Sequence, residues 1–175
     1  MDYRLSKMRS FVFLTIVYGL LSMVHGSAFA ETAHVERVID GDTVILADGT
    51  RVRLIGINAP EIENRDFGHR GEPYGEASKQ VLKKMVEGKD VDLQEGPEKK
   101  DRYDRRLAYI YLPNHFFVNQ KLIEVGAAEA YRKFDHPYRS EFIQIENRIK
   151  QEKLGMWAIE KKTPTWWERL FGVKK

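Results

Sequence analysis

Acidic and basic side chains that could hydrolyse a phosphate ester lie within one short stretch of this chain. Asp40 and Asp42 flank a glycine, and Arg53 and Glu61 follow. Two carboxylates can hold a hard divalent cation, and an arginine can bind phosphate through two parallel hydrogen bonds. A glutamate can take a proton from water. Together these side chains could carry out metal-assisted phosphodiester hydrolysis.

Each of these residues also has a simpler structural interpretation. Aspartates flanking a glycine often stabilise turns, because their side chains accept hydrogen bonds from nearby backbone amides. Arg53 could lie at a strand edge or in an ion pair, and Glu61, which follows a proline, could be a solvated loop residue. The position of Asp40 and Asp42 between two predicted strands favours the functional interpretation, since both carboxylates could then face one cation.

A second charged segment, residues 99–106, leads directly into a predicted strand. Segments of this kind usually form solvated loops. If this one places Arg105 beside Arg53, two guanidinium groups could neutralise the charge on a pentacovalent phosphorus centre. Tyr103 and Tyr131 add aromatic faces on which bases could stack.

Short β-branched segments around these residues predict a small barrel. Five strands are indicated, at residues 34–39, 43–47, 51–57, 90–94 and 107–112. Apolar residues at helical spacing predict three helices, at residues 76–87, 118–125 and 140–153. Asp48-Gly49 is typical of a two-residue hairpin turn, since glycine accepts a positive φ. This order of elements predicts an α+β fold, a five-stranded OB-fold-like β-barrel packed on about three helices.

The first 30 residues have the pattern of a signal peptide. A basic segment precedes a largely apolar run at residues 11–24, and Ala28-Phe29-Ala30 has the small-x-small pattern of a cleavage site. The run is shorter than the ~20 residues that a membrane-spanning helix requires. Cleavage after Ala30 is favoured, and an uncleaved N-terminal anchor is the alternative. We therefore expect an exported protein, periplasmic or secreted.

The composition of residues 31–175 limits the remaining possibilities. These 145 residues suffice for one domain with a substantial core. The predicted signal peptide contains three of the 29 Lys and Arg residues and one of the 26 Asp and Glu residues, so residues 31–175 have a net charge of +1. Attraction of nucleic acid must therefore be local. The absence of cysteine excludes thiol catalysis and cysteine zinc sites.

Residues 161–175 form a tryptophan-rich C-terminal tail that contains Trp166 and Trp167. One interpretation is a short helix that docks on the domain. The alternative is a contact with a membrane surface or a partner, since tryptophans beside basic residues suit an interface.

Five ordered segments of the chain resemble the thermonuclease (staphylococcal nuclease-like) family, of the exported bacterial type. They are residues 38–43, 53–61, 74–77, 101–109 and 154–157. Each segment alone is weakly specific, but their order and spacing together are highly specific. The resemblance implies a nuclease-like OB-fold domain at residues 31–160, between the signal peptide and the tail.

This resemblance implies hydrolysis of DNA and RNA phosphodiester bonds with a Ca²⁺ ion, leaving 3′-phosphate ends. It implies Arg53 and Arg105 as phosphate clamps and Glu61 as the general base or water-orienting carboxylate. Tyr103 and Tyr131 would line the nucleotide pocket. We also expect Arg102 to contact the substrate, single-stranded nucleic acid to be preferred, and no stable protein partner.

The implied metal ligands include one departure from the family pattern. Asp42 and the backbone carbonyl of Ala59 would bind Ca²⁺, and Asp40 would support the site. At Asn58 the family more often has aspartate. Asparagine keeps a ligand oxygen but loses one negative charge, so we expect weaker Ca²⁺ binding and not its absence.

Two other functions remain open. An OB-fold module could bind single-stranded nucleic acid without cleaving it. Asp42 and Glu61 argue against this alternative, because carboxylates repel phosphate unless a cation intervenes. A structural or interaction protein of the cell envelope is supported only by the tryptophan-rich tail.

Overall fold

Buried apolar side chains on the main strands line the inside of a closed barrel. The computed structural model describes residues 31–63 and 70–158. Its strands are β1 (Glu31–Val38), β2 (Thr43–Leu46), β3 (Arg51–Leu54), β4 (Ile57–Asn58), β5 (Asp90–Lys100), β6 (Arg106–Leu112), β7 (Phe116–Phe117) and β8 (Glu129–Ala130). Within β1, β2 and β3 the buried residues include Val35, Val44 and Val52, all fully or almost fully excluded from solvent.

Five of these strands form the barrel in the order β3-β2-β1-β5-β6. Neighbours in this order pair antiparallel, and a parallel pairing between β3 and β6 closes the barrel, with Val52 opposite Arg106. A register shift between Val35 and Arg37 interrupts the β1–β2 pairing, as expected where a strand bends to close a barrel. The predicted five-stranded OB-fold-like barrel is confirmed.

The segment predicted as one strand at residues 51–57 is interrupted, and this part of the prediction was wrong. Gly56 has a φ of +80°, which ends β3 and starts the separate strand β4. A Cβ atom at Gly56 would lie 2.5 Å from the imidazole Cε1 of His136. The break turns β4 away from the barrel and towards β8, where Asn58 lies opposite Glu129.

Within the described residues, three α-helices pack on the barrel, as predicted. They are α1 (Gly75–Val86), α2 (Val118–Glu124) and α3 (Arg139–Gln151), and short 3₁₀ segments lie at Pro113–His115 and Gly155–Ala158. Leu82, Leu122 and Phe142 each place a fully buried side chain in the core. On α3, Glu146 and Lys150 form an ion pair at 3.0 Å.

No helix within residues 31–63 and 70–158 is long and apolar enough to cross a membrane. The predicted signal peptide at residues 1–30 and the C-terminal tail at 161–175 lie outside the described residues.

Candidate active site

The turn between β1 and β2 places Asp42 inside the protein. The side chain of Asp40 accepts a hydrogen bond from the backbone amide of Asp42 at 3.0 Å, which closes the turn. Gly41 packs against Ser78 and Ala59, and an added Cβ atom would lie 2.5 Å from the Ala59 methyl group. The turn therefore requires glycine between the two aspartates, and it leaves Asp42 only 6% exposed.

The carboxylate of Asp42 is surrounded by hydrogen-bond donors. Its Oδ2 accepts the backbone amide of Ala59 at 2.9 Å and pairs with Nη1 of Arg53 at 2.9 Å. Its Oδ1 accepts the hydroxyl of Thr43 at 3.1 Å. Burial raises the pKa of Asp42 to about 7, Arg53 opposes this change, and the nearby Asp40 adds to it. Burial therefore disfavours the ionised carboxylate, and a bound cation would stabilise that form.

Arg53 lies on β3 with its side chain only 13% exposed. Besides Asp42, its guanidinium donates to the Leu54 carbonyl at 3.1 Å and to Oδ1 of Asn58 at 3.3 Å. The ion-pair interpretation of this arginine is thus correct. It is compatible with a phosphate-binding role, because the planar guanidinium is fixed beside the predicted metal ligands.

Arg105 reaches the same place from the loop before β6. Its Nη1 donates to the hydroxyl of Thr43 at 3.4 Å, and Thr43 in turn donates to Asp42. Since Arg53 binds the other oxygen of Asp42, the structure brings the two arginines to one aspartate–threonine pair. Residues far apart in sequence converge here because β3 and β6 lie side by side in the barrel.

Asp101 holds Arg105 in this position, and the sequence analysis did not single it out. Its Oδ2 accepts Nε and Nη2 of Arg105, each at 2.8 Å. Its Oδ1 accepts the backbone amides of Tyr103 and Arg105. Partial burial alone would raise the pKa of Asp101, but the hydrogen bonds from Arg105 and Tyr103 lower it. The four-residue spacing between acid and arginine is a signal that could have revealed this pair.

Glu61 lies at the surface, two residues after Ala59. Its backbone is held by Glu72, which accepts the Glu61 amide at 3.1 Å and donates its own amide to the Glu61 carbonyl at 2.8 Å. Gly75 packs directly on that carbonyl. Within the described residues, Glu61 is connected to Asp42 through the Ala59 backbone and not by a direct hydrogen bond. The fixed backbone and exposed carboxylate suit a residue that meets water and substrate.

The predicted pocket residues Tyr103 and Tyr131 each lie beside another aromatic or basic side chain. Tyr103 is 56% exposed and lies under the guanidinium groups of Arg102 and Arg105, 4.7 and 5.4 Å from the ring centroid. Tyr131 lies beside Phe134, with 5.7 Å between ring centroids. Phe134 is 62% exposed and was not predicted. Its exposure depends on tertiary packing, which local sequence patterns do not reveal.

The predicted metal ligands present only oxygen donors: the carboxylates of Asp40 and Asp42, the amide oxygen of Asn58 and the Ala59 carbonyl. Across the ranges that the structure describes, no three His, Cys, Asp or Glu side chains are grouped around a possible cation position. The donor chemistry fits a hard cation such as Ca²⁺. Two of these four ligands are carboxylates, and weaker Ca²⁺ binding because of Asn58 stays a prediction.

Comparisons with known proteins identify relatives of this chain. Residues 51–159 match the family described as staphylococcal nuclease homologue. The thermonuclease of Staphylococcus intermedius is 39% identical over 133 residues, covering 73% of this chain and 76% of that protein. An uncharacterized endonuclease of Escherichia coli O157:H7 is 33% identical over 135 residues, covering 75% and 80%. The micrococcal nuclease of Shigella flexneri is 28% identical over 147 residues, covering 77% and 79%.

Proposed function

The chain belongs to the staphylococcal nuclease homologue family, and we propose that it is an exported, Ca²⁺-dependent nuclease that hydrolyses DNA and RNA and leaves 3′-phosphate ends. The observation that carries this proposal is the convergence of Arg53 and Arg105 on Asp42 and Thr43. Two guanidinium groups beside a buried carboxylate provide both phosphate recognition and a position for a cation. Export is proposed from the signal-peptide pattern of residues 1–30.

The cation would be held by Asp42, the Ala59 carbonyl and the Asn58 amide oxygen, with Asp40 in support. When bound, Ca²⁺ would neutralise phosphate charge and polarise a phosphoryl oxygen. Asp42 must be ionised to bind it, and its hydrogen bonds from Ala59 and Arg53 favour that form.

The two arginines would bind the scissile phosphate. Each guanidinium can present two parallel N–H groups to phosphate oxygens. Arg53 is held by Asn58 and Leu54, and Arg105 is held by Asp101, so both are oriented before substrate arrives. Groups fixed in this way stabilise the additional charge of the transition state without reorganising.

Glu61 would accept a proton from the attacking water, or orient that water, because its carboxylate is exposed beside the site. The water oxygen forms a new bond to phosphorus while the bond to the 5′ oxygen breaks. The departing 5′ oxygen takes a proton from solvent, and the phosphate remains on the 3′ side. Tyr103 and Phe134 are exposed, and Tyr131 lies half-buried beside Phe134. Their ring faces could stack on unpaired bases, which supports a preference for single strands.

Cleavage assays distinguish this enzyme from a module that only binds nucleic acid. Single-stranded and duplex DNA would be incubated with the purified protein in Ca²⁺ or in chelator, alongside Glu61→Gln. Metal-dependent cleavage that falls at least ~100-fold in Glu61→Gln supports the proposal. Gel retardation without cleavage in any divalent cation would instead show a binding module.

A further inference from the structure

Asn58 and Glu129 face each other across the β4–β8 pair. The strands are antiparallel, and Asn58 lies directly opposite Glu129 in their register. Nδ2 of Asn58 donates to Oε1 of Glu129 at 3.3 Å, and both side chains are half-buried. This carboxylate is therefore in direct contact with the one implied side-chain metal ligand that lacks a charge.

The two ends of the Asn58 amide have different partners. Its Oδ1 accepts a hydrogen bond from Nη2 of Arg53, while Nη1 of Arg53 pairs with Asp42. The amide oxygen therefore lies on the Asp42 side, and the amide nitrogen lies on the Glu129 side.

Only one orientation of this amide satisfies both neighbours. A flipped amide would place its oxygen against the Glu129 carboxylate, which only accepts hydrogen bonds. It would also place its NH₂ group against the Arg53 guanidinium, which only donates them. The Glu129 carboxylate and the Arg53 guanidinium therefore together select the orientation in which the Asn58 oxygen faces Arg53.

We propose that Glu129 is a positioning residue that directs the Asn58 carbonyl oxygen towards the cation site. An aspartate at position 58 would need no such partner, since both ends of a carboxylate are oxygens. Asparagine can bind a cation through only one of its two ends, so its orientation matters. This role rests on the proposed Ca²⁺-dependent function and adds a residue to it.

Calcium titration by calorimetry without nucleic acid tests the role separately from catalysis. Glu129→Gln removes the charge, and the glutamine amide can turn either end to Asn58. Partners that orient a metal ligand typically contribute 10–100-fold to affinity, so Glu129→Gln is expected to weaken Ca²⁺ binding about tenfold. In the Asn58→Asp background the same change is expected to cost less than about twofold, because the carboxylate has no wrong orientation.

Glu124→Gln is the matched control. Glu124 is a half-buried glutamate on α2 that contacts Gln120 and Lys121, and its replacement removes the same charge. It is expected to leave Ca²⁺ affinity unchanged in both backgrounds. Circular-dichroism melting would confirm that each variant is folded.

Three results would overturn the proposal in distinguishable ways. Unchanged Ca²⁺ affinity in Glu129→Gln would show that Glu129 does not position Asn58. The proposed function would still stand if the wild type cleaved DNA in a Ca²⁺-dependent way. If Glu129→Gln weakened Ca²⁺ binding equally in the wild-type and Asn58→Asp backgrounds, Glu129 would act through its charge and not by orienting Asn58. A wild-type protein that neither binds Ca²⁺ nor cleaves DNA would contradict the proposed function itself, and this role with it.

Discussion

Replacing Asp101 by asparagine should impair the enzyme through Arg105. The asparagine keeps one side-chain oxygen for the backbone amides of Tyr103 and Arg105. It loses the second oxygen, which now accepts both Nε and Nη2 of Arg105 at 2.8 Å. Arg105 would then occupy several rotamers, and the guanidinium would be ordered only when substrate binds.

The size of the effect follows from the exposure of the pair. A hydrogen bond to a charged group contributes about 1.5–3 kcal/mol when it is well shielded. The Arg105 and Asp101 side chains are 24% and 18% exposed, so solvent screening favours the lower end of this range. A loss of about 1.5 kcal/mol in the transition state corresponds to roughly a tenfold fall in kcat/KM. Arg105→Ala, which removes the clamp itself, should cost about 10²–10³-fold.

Steady-state cleavage of a single-stranded oligonucleotide in saturating Ca²⁺ is the assay. The fall for Asp101→Asn should appear mainly in kcat, since Arg105 is proposed to act on the transition state. Asp104→Asn is the matched control, because it removes an exposed carboxylate of the same loop that pairs with Lys100. The double variant Asp101→Asn/Arg105→Ala should be no slower than Arg105→Ala.

Two results would refute this reasoning. Equal activities of Asp101→Asn and Asp104→Asn would show that the Asp101 carboxylate does not position Arg105. An effect of Asp101→Asn that persists in full when Arg105 is already alanine would show that Asp101 acts by another route.

Three further variants test other parts of the structure. Gly56→Ala should lower the free energy of unfolding in urea by at least ~2 kcal/mol, because φ is +80° and the new methyl group would meet His136. The control Gly49→Ala, where φ is +84° and the space is open, should lower it by only about 1–2 kcal/mol. Equal losses in the two variants would contradict the argument that His136 crowds the new methyl group. Burial lowers the pKa of His136 below its usual 6.5; the nearby Asp135 opposes this change and Arg139 adds to it. Because the unfolded chain then binds more protons than the folded one, the free energy of unfolding should fall as the pH drops below about 6.5. His136→Phe should reduce that loss between pH 7 and 5 in urea titrations, and an unchanged pH dependence would exclude His136 as its source. Asn58→Asp should lower the Ca²⁺ concentration needed for half-maximal activity, and it should lower the melting temperature in chelator because two carboxylates would face each other across β4–β8. An unchanged Ca²⁺ requirement would contradict the charge-count argument.

Local patterns predicted much of the fold and part of the site. The short apolar segments at residues 43–47 and 107–112 correspond to β2 and β6, since β-branched and aromatic residues favour strands. The sequence indicated that Arg105 could lie near Arg53, and the β3–β6 pairing brings the two arginines to Asp42 and Thr43.

The features that sequence reasoning missed depend on contacts between distant segments. The β-branched residues around Gly56 indicate a continuous strand, whereas the packing of His136 against this glycine accompanies the break. Glu129 lies 71 residues from Asn58, and only the β4–β8 register brings them together. Local propensity carries no information about such pairings.

Cleavage of a 5′-labelled single-stranded oligonucleotide, followed by treatment of the fragments with a 3′-phosphatase, tests the central claim most directly. We predict fragments that form with Ca²⁺, not with chelator, and that shift in mobility when the phosphatase removes a 3′-phosphate. Fragments that form equally in chelator, or that the phosphatase leaves unchanged, would contradict Ca²⁺-dependent cleavage of the bond to the 5′ oxygen.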